Sequence, residues 1–290
     1  MKFFYSVTMF RYILVIILAS FVVESAFSQS TLVAKTIDTT HQSVVAVFGV
    51  EKSGKPRILG SGVLIHPQVI LTAGHVNFRI ANMAMEGRCD SIGFVTFGNN
   101  ALSSNVRIGF NWMRDVESHP DAADFWHSVF DTTGLTKPSM FIDIGLIFLQ
   151  KPIYNQPLAL LSKASAIENR TPDELFVGVG YGYYKTVDST FKDELMDGQR
   201  RQWSFKNITE INDLWISTDC DSLTKLPFAS IHDSGAPIFL GNNLVIGILS
   251  REDKAPKPCA YSSCAVRIDN PKVLVWIKES IKKRLGINIY

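Results

Sequence analysis

Apolar residues at the start of the folded part come in short runs separated by turn residues. Val44-Val45-Ala46-Val47-Phe48-Gly49-Val50 reads as a strand, Lys52-Ser53-Gly54-Lys55-Pro56 as a turn, Ile58 to Ile65 as a second strand and Val69-Ile70-Leu71 as a third. Strand, turn and strand at this spacing predict an antiparallel barrel or sandwich. The periodicity weakens from Asn82 to Pro138, where Gly93-Phe94-Val95-Thr96-Phe97 and Val106-Arg107-Ile108-Gly109-Phe110 are strand-like and the remainder is expected as surface loops. His119, Asp121, Asp124 and His127 fall there and read as a polar loop, with no metal site assigned.

Phe141 to Leu149 is apolar except for Asp143, and a carboxylate so placed is expected to be buried and hydrogen-bonded. Lys151-Pro152 ends that strand, and the segment to Pro172 reads as a linker to a second half. Further strands are expected at Leu175–Val179, Gln202–Phe205, Asp213–Ile216, Ile238–Leu240, Leu244–Ser250 and Cys264–Ile268, with the polar run Lys185 to Arg201 as an exposed loop. Asn270-Pro271 is an N-cap followed by Pro at the first helical position. Val273, Leu274, Trp276, Ile277, Ile281 and Leu285 then recur at helical spacing, which predicts a terminal amphipathic helix.

Composition adds less. At 290 residues and 46% hydrophobic the chain holds one large or two small domains with ample core. Lys and Arg total 29 against 27 for Asp and Glu, and the clusters Arg200-Arg201 and Lys282-Lys283-Arg284 read as solvated faces, so a nucleic-acid partner has no support. The first residues carry more information: Lys2 and Arg11 precede the apolar stretch Tyr12 to Val23, and Ala26-Phe27-Ser28 forms a small-x-small site. That stretch falls short of the roughly 20 residues a spanning helix needs. Residues 1–28 therefore read as a secretory signal peptide, with a membrane anchor as the lesser reading, and the mature chain begins near Gln29 in an oxidising, secreted or periplasmic setting. Cys89, Cys220, Cys259 and Cys264 suit that setting, and four cysteines allow two disulfides in three connectivities. They show no zinc-ligand spacing with histidine.

The residues that carry candidate chemistry are Ser234, within Ser230-Ile231-His232-Asp233-Ser234-Gly235-Ala236-Pro237, His75, within Leu71-Thr72-Ala73-Gly74-His75, and Asp143, within Asp143-Ile144-Gly145-Leu146. A serine hydroxyl is a poor nucleophile unless a general base and an orienting carboxylate attend it, and here all three residue types occur in the order His, Asp, Ser. These motifs resemble the Thr-Ala-Ala-His, Asp-Ile-Ala-Leu and Asp-Ser-Gly-Gly-Pro of the trypsin/chymotrypsin-like serine proteases. Gly180-Tyr181-Gly182 resembles the family's Gly-Trp-Gly, and Leu244 to Ser250 its Gly-Ile-Val-Ser strand.

The resemblance runs from about Val44 to the C-terminus. It implies an all-β fold of two antiparallel six-stranded β-barrels, chymotrypsin-like, with a C-terminal α-helix: residues 29–155 forming the N-terminal barrel with His75 and Asp143, and residues 156–290 the C-terminal barrel and helix with Ser234. The function implied is a secreted serine endopeptidase acting through an acyl-enzyme, without cofactor or metal, on peptide or protein substrates, as a monomer with no membrane anchor once the signal is removed. His75 would take the Ser234 proton, Asp143 would hold the imidazole tautomer, Ser250 would support Asp143, and the backbone N–H groups of His232 and Ser234 would face the oxyanion. The substrate pocket would be formed by Phe228, Arg251, Glu252 and Ser263, and Cys220 would bridge to Cys259 or Cys264.

Four positions depart from the family's pattern. His232 stands where a glycine is usual, and Gly60 and Val76 replace the cysteines flanking the His-bearing loop. No Arg-Ile-Val-Gly-Gly sequence occurs, so activation by a new N-terminus beside Asp233 is not indicated, and Phe228 replaces an acid at the pocket floor. The alternative reading is a catalytically weak or inactive binding module on the same fold. A lipase-like esterase fits less well, since its triad runs Ser, Asp, His and its serine sits in Gly-x-Ser-x-Gly.

Overall fold

A computed structural model describes residues 35–50, 56–85, 93–102, 110–129, 141–163, 166–171, 174–183, 197–205, 208–218, 229–230, 232–254 and 261–289. After a short strand β1 (Thr36–Ile37), six strands close into a barrel in the order β2-β3-β4-β7-β6-β5: β2 (Val44–Val50), β3 (Pro56–His66), β4 (Val69–Thr72), β5 (Phe94–Phe97), β6 (Phe110–Ser118) and β7 (Gly145–Leu149). Neighbouring strands are antiparallel throughout. Val44 to Phe48 and Leu146 to Leu149 are buried on both faces, which is why they read as continuous apolar runs and not as alternating ones. One face fills the barrel, and the other meets the second half of the chain in a shared core that includes Val179, Tyr181, Phe239, Val245 and Ile248.

That second half is a nine-stranded sheet. Its strands are β8 (Leu160–Leu161), β9 (Phe176–Gly180), β10 (Arg201–Phe205), β11 (Ile208–Ile211), β12 (Trp215–Thr218), β13 (Pro237–Leu240), β14 (Leu244–Lys254) and β15 (Tyr261–Arg267), together with β1. The path runs β1-β10-β9-β13-β14-β15-β12-β11, with β8 parallel to β14. Three of these strands are additions to the six expected: β11, which follows β10 and pairs with β12, β1 from ahead of the barrel and β8 from the linker. β1 and β8 attach by a two-residue register, which leaves no apolar run to betray them.

Three helices are described. The terminal α3 (Pro271–Leu285) has Asn270 as N-cap, its side chain accepting from the Lys272 N–H, and Gly286 as C-cap at φ 71°; Val273, Ile277 and Ile281 are its buried face. The other two fall in or at the edge of the stretch expected as loops. α1 (Gly74–Met85) buries Val76 and Ile80, and α2 (Asp121–Val129) buries Ala122 and Phe125. β6 likewise extends from Phe110 to Ser118, where loop was expected. Each helix buries only two large or small apolar residues one turn apart, too few for the helical period to stand out in sequence. Asp121 and Asp124 lie in the first turn of α2, where the helix dipole favours acids, so the residues read as a polar loop are a helix start.

Arg200 and Arg201 are not a solvated face: both are buried. Arg200 Nε donates to Asp38 Oδ2 at 2.7 Å, and His41 Nδ1 lies 2.8 Å from Asp38 Oδ1. Burial would raise the Asp38 carboxyl, but the hydrogen bonds from His41 and Arg200 and the Arg200 charge outweigh it and hold the group down at about 2. Arg284 keeps its exposure and pairs with Asp115 and Glu117 of β6 at 2.6 and 2.9 Å.

Because removing one partner leaves the other charge buried, Arg200→Met should cost about 3–5 kcal/mol of unfolding free energy in urea at pH 7. In the wild type the depressed Asp38 group contributes about 2 kcal/mol above its unfolded value near pH 4, and this is lost as pH falls toward 2. The variant should lose that acid-sensitive part, and urea titrations at pH 7 and pH 2.5 measure both effects.

Candidate functional site

His75 is the second residue of α1, so its backbone N–H is one the helix leaves unpaired. That N–H donates to Asp143 Oδ1 at 2.7 Å, while Nδ1 of the ring lies 2.6 Å from Asp143 Oδ2. Ser250 Oγ donates to the same Oδ2 at 2.5 Å, and the Asp143 side chain is wholly buried. A carboxylate only accepts, so the neutral ring carries its proton on Nδ1 and keeps the lone pair on Nε2. Phe125 and Trp126 of α2 stack over the imidazole, each at 6.0 Å between centroids. α2 can come this close because residue 74 is glycine: a Cβ there would stand 2.6 Å from that of Ala122.

Ser234 arrives from the other half of the molecule. Its carbonyl accepts from the Ser61 N–H of β3 at 2.8 Å, and its Oγ donates to the Ser250 carbonyl at 3.5 Å. Ser250 therefore touches Asp143 through its hydroxyl and Ser234 through its backbone. Among the described residues no hydrogen bond joins Ser234 Oγ to His75. The turn is tied by Asp233 N–H to Ser230 O (3.0 Å), Gly235 N–H to Leu249 O (2.7 Å) and Ala236 N–H to Asp233 O (2.8 Å). Gly235 has φ +84°, and a Cβ there would lie 2.1 Å from both Ser61 O and Thr72 Oγ1, so no other residue fits.

His232 has φ 71°, the only positive value among the described non-glycine residues. It holds a left-handed backbone of the kind that favours glycine, with Ser61 Oγ donating to its carbonyl at 3.3 Å. Among the described residues neither the His232 N–H nor the Ser234 N–H has an acceptor, which leaves both donors for a ligand. Burial pushes the His232 imidazole down to about 4, and the nearby charges of Arg79 and Arg57 add to this. The ring packs against Tyr183 at 5.1 Å, and its Nδ1 is buried without a partner among the described residues.

Between these two donors lies Asp233, fully buried. Its Oδ1 accepts from the Gly182 N–H at 2.9 Å, and its Oδ2 accepts from the Ser230 N–H at 2.8 Å and from Lys35 Nζ. Of the residues expected in a substrate pocket, Arg251 places its guanidinium over Trp215 at 5.2 Å, and Ser263 is buried with Oγ accepting from the Ala229 N–H at 3.1 Å. Phe228 and the Glu252 side chain lie outside the described residues, as do Cys89, Cys220 and Cys259. Cys264 is buried in β15 with Sγ 3.4 Å from Ser217 Oγ. Among the described residues no three metal-ligating side chains come together.

No family model matches the chain, and no curated protein does. Solved structures do match. Granzyme C is 16% identical and aligns over 87% of this chain and all of its own, with a TM-score of 0.58. An inactivated protease paralogue of the scabies mite, S-I1, is 14% identical over 88% of this chain and all of its own, also at 0.58. HL collagenase is 16% identical over 89% of this chain and all of its own, at 0.56. The fold is chymotrypsin-like. Since that chymotrypsin-like architecture is shared with a paralogue described as inactivated, the fold does not by itself decide turnover.

Sequence reasoning missed several residues that build the site. Ser61 had a signal, as a polar residue between two glycines in an otherwise apolar strand. Lys35 had none, because it precedes the first apolar run. Trp126 and Phe125 were hidden by the reading of their helix as loop.

With a folded-state value of about 4, His232 should titrate far below an ordinary imidazole in a carbon-detected NMR titration. The unfolded chain binds this proton first, so stability should fall as pH drops from about 6.5 toward 4, by about 3 kcal/mol at most. His232→Gly should remove that slope between pH 7 and pH 4.5 in urea titrations.

Proposed function

We propose that the protein is a secreted serine endopeptidase that cleaves peptide bonds with Ser234 as nucleophile, His75 as general base and Asp143 as its orienting carboxylate. The observation that carries this reading is the hydrogen-bonded set of His75, Asp143 and Ser250, brought from the barrel and the second sheet to the side of Ser234. Ser234 Oγ turns from the Ser250 carbonyl to His75 Nε2 as a substrate enters, in keeping with catalytic hydrogen bonds that tighten only in the complex. Nε2 takes the hydroxyl proton as Oγ attacks the carbonyl carbon, and Asp143 stabilises the imidazolium that results. The oxyanion is received by the backbone N–H groups of His232 and Ser234. The same imidazolium protonates the leaving amine, and a water then hydrolyses the acyl-enzyme by the reverse route. The His232 imidazole, neutral at working pH, lines the leaving-group side and takes no proton. Arg251 and Ser263 with Phe228 and Glu252 would form a pocket without a buried acid, which favours small or apolar side chains over Arg or Lys. The enzyme needs no cofactor, and acts as a monomer outside the cytoplasm.

The second reading is a protease-fold binding module with weak or no turnover. The Ser234 Oγ bond to the Ser250 carbonyl favours it, as does the likeness to an inactivated paralogue.

A fluorophosphonate probe should label purified protein at Ser234, and peptide mapping locates the adduct. Ser234→Ala and His75→Ala should each lower turnover of a peptide substrate by about 10⁴ or more. Wild-type protein that stays unlabelled and leaves peptides intact would establish the binding-module reading instead, and Ser234→Ala that still hydrolyses peptides at the wild-type rate would rule out Ser234 as the nucleophile.

A further inference from the structure

We propose that Lys35 is the positioning residue of the oxyanion-binding turn: its buried ammonium, paired with Asp233, holds residues 230–235 in the arrangement that presents the N–H groups of His232 and Ser234 to the cleft. The use of those donors rests on the endopeptidase reading; the control of the turn by Lys35 does not.

The Asp233 carboxylate points away from the cleft into a socket with glycine walls. A Cβ on Gly180 would lie 2.4 Å from its Oδ1, and one on Gly182 would lie 2.5 Å from its Cγ. The neutral donors in that socket, the N–H groups of Gly182 and Ser230 and the Ser230 hydroxyl at 2.9 Å from Oδ2, satisfy lone pairs without balancing the charge. A fully buried carboxylate in that position requires a counter-charge. Lys35 supplies it, with a side chain as buried as that of Asp233. Its other donors go to Ser230 Oγ at 2.8 Å and the Tyr183 carbonyl at 3.3 Å, and it lies 4.9 Å from the Trp203 ring centroid. The ammonium thus clamps both sides of the socket, the 181–183 segment and the start of the turn.

What the clamp protects is a strained residue. A side chain at φ 71° persists only where its surroundings over-determine it, and His232 is the neighbour of Asp233. Without Lys35 the carboxylate takes up a proton, which weakens the bond from the Ser230 N–H, or swings toward water, which breaks it. The His232 peptide can then relax and withdraw its N–H from the cleft. Because the ammonium belongs to a side chain and not to a chain terminus, the turn is set as the chain folds, with no backbone cleavage required.

The test compares full-length wild type with Lys35→Met, which keeps the length of the side chain and removes its charge. Hydrogen exchange should accelerate at least tenfold in peptides covering 229–236 and 181–183, with β2 to β4 and α1 unchanged. In the same variant kcat should fall about 10²–10³-fold, as for loss of one oxyanion donor, with KM within threefold of wild type. Affinity for a peptide aldehyde, which needs the same donors, should fall alongside kcat. Adding Asp233→Asn to Lys35→Met removes the lone buried charge; it should raise the melting temperature while the turn still exchanges fast and kcat stays low. Unchanged exchange in 229–236, or recovery of kcat together with melting temperature in the double variant, would overturn the role. Wild type that is not labelled at Ser234 would sink the endopeptidase reading alone, since exchange reports on the turn whether or not the protein turns over.

Discussion

The two halves of the molecule meet at Ser61. This single residue of β3 donates its N–H to the Ser234 carbonyl, accepts at its own carbonyl from Thr72 Oγ1, accepts at its hydroxyl from the Tyr181 N–H and donates from that hydroxyl to the His232 carbonyl. None of these bonds contributes more than about 1 kcal/mol net, but each is buried, and leaving any one unmade costs about 1–3 kcal/mol. The set therefore acts as a register mark between barrel and sheet. Gly235 makes the approach possible by having no side chain where Ser61 and Thr72 already stand.

Three buried carboxylates lie along the same junction, and each meets its desolvation differently. Asp38 is paired with Arg200 and His41, Asp233 with Lys35, and Asp143 with a neutral imidazole and a hydroxyl. The first two are each paired with a cationic side chain, Arg200 and Lys35, which balances the buried charge. Asp143 is paired among the described residues with the His75 ring and the Ser250 hydroxyl and with no Lys or Arg, so its negative charge is left available for an imidazolium. Asp38 and Lys35 both belong to the short segment ahead of the first barrel strand, whose β1 also joins the far sheet. That segment is thus tied by charge and by backbone to the elements bearing the turn.

Local patterning carried much of the architecture. Val44 to Val50, Ile58 to Ile65 and Phe141 to Leu149 announce barrel strands, and Asn270-Pro271 announces the start of the last helix, because strand burial and helix capping are written in neighbouring residues. Gly74-His75, Asp143 and Asp233-Ser234-Gly235 are legible for the same reason: each couples a special side chain to a backbone setting only a few residues long. α1 and α2 were not legible, since two buried residues on a short helix give the helical period too little to repeat.

What tertiary structure alone decided is the choice of partner over long sequence distance. A lone Lys35, an Arg200 at the end of a polar run and an Asp38 in a short lead-in have no local mark distinguishing them from solvated charges. They become a pair of buried ion pairs only when β1 docks beside β10 and the turn folds over Gly180 and Gly182. The backbone of His232 belongs to the same class. Its sequence favours ordinary dihedrals, and a positive φ is imposed by the Ser61 hydroxyl and the turn around Asp233, because a local preference of about 1–2 kcal/mol yields to several buried hydrogen bonds that would otherwise go unmade.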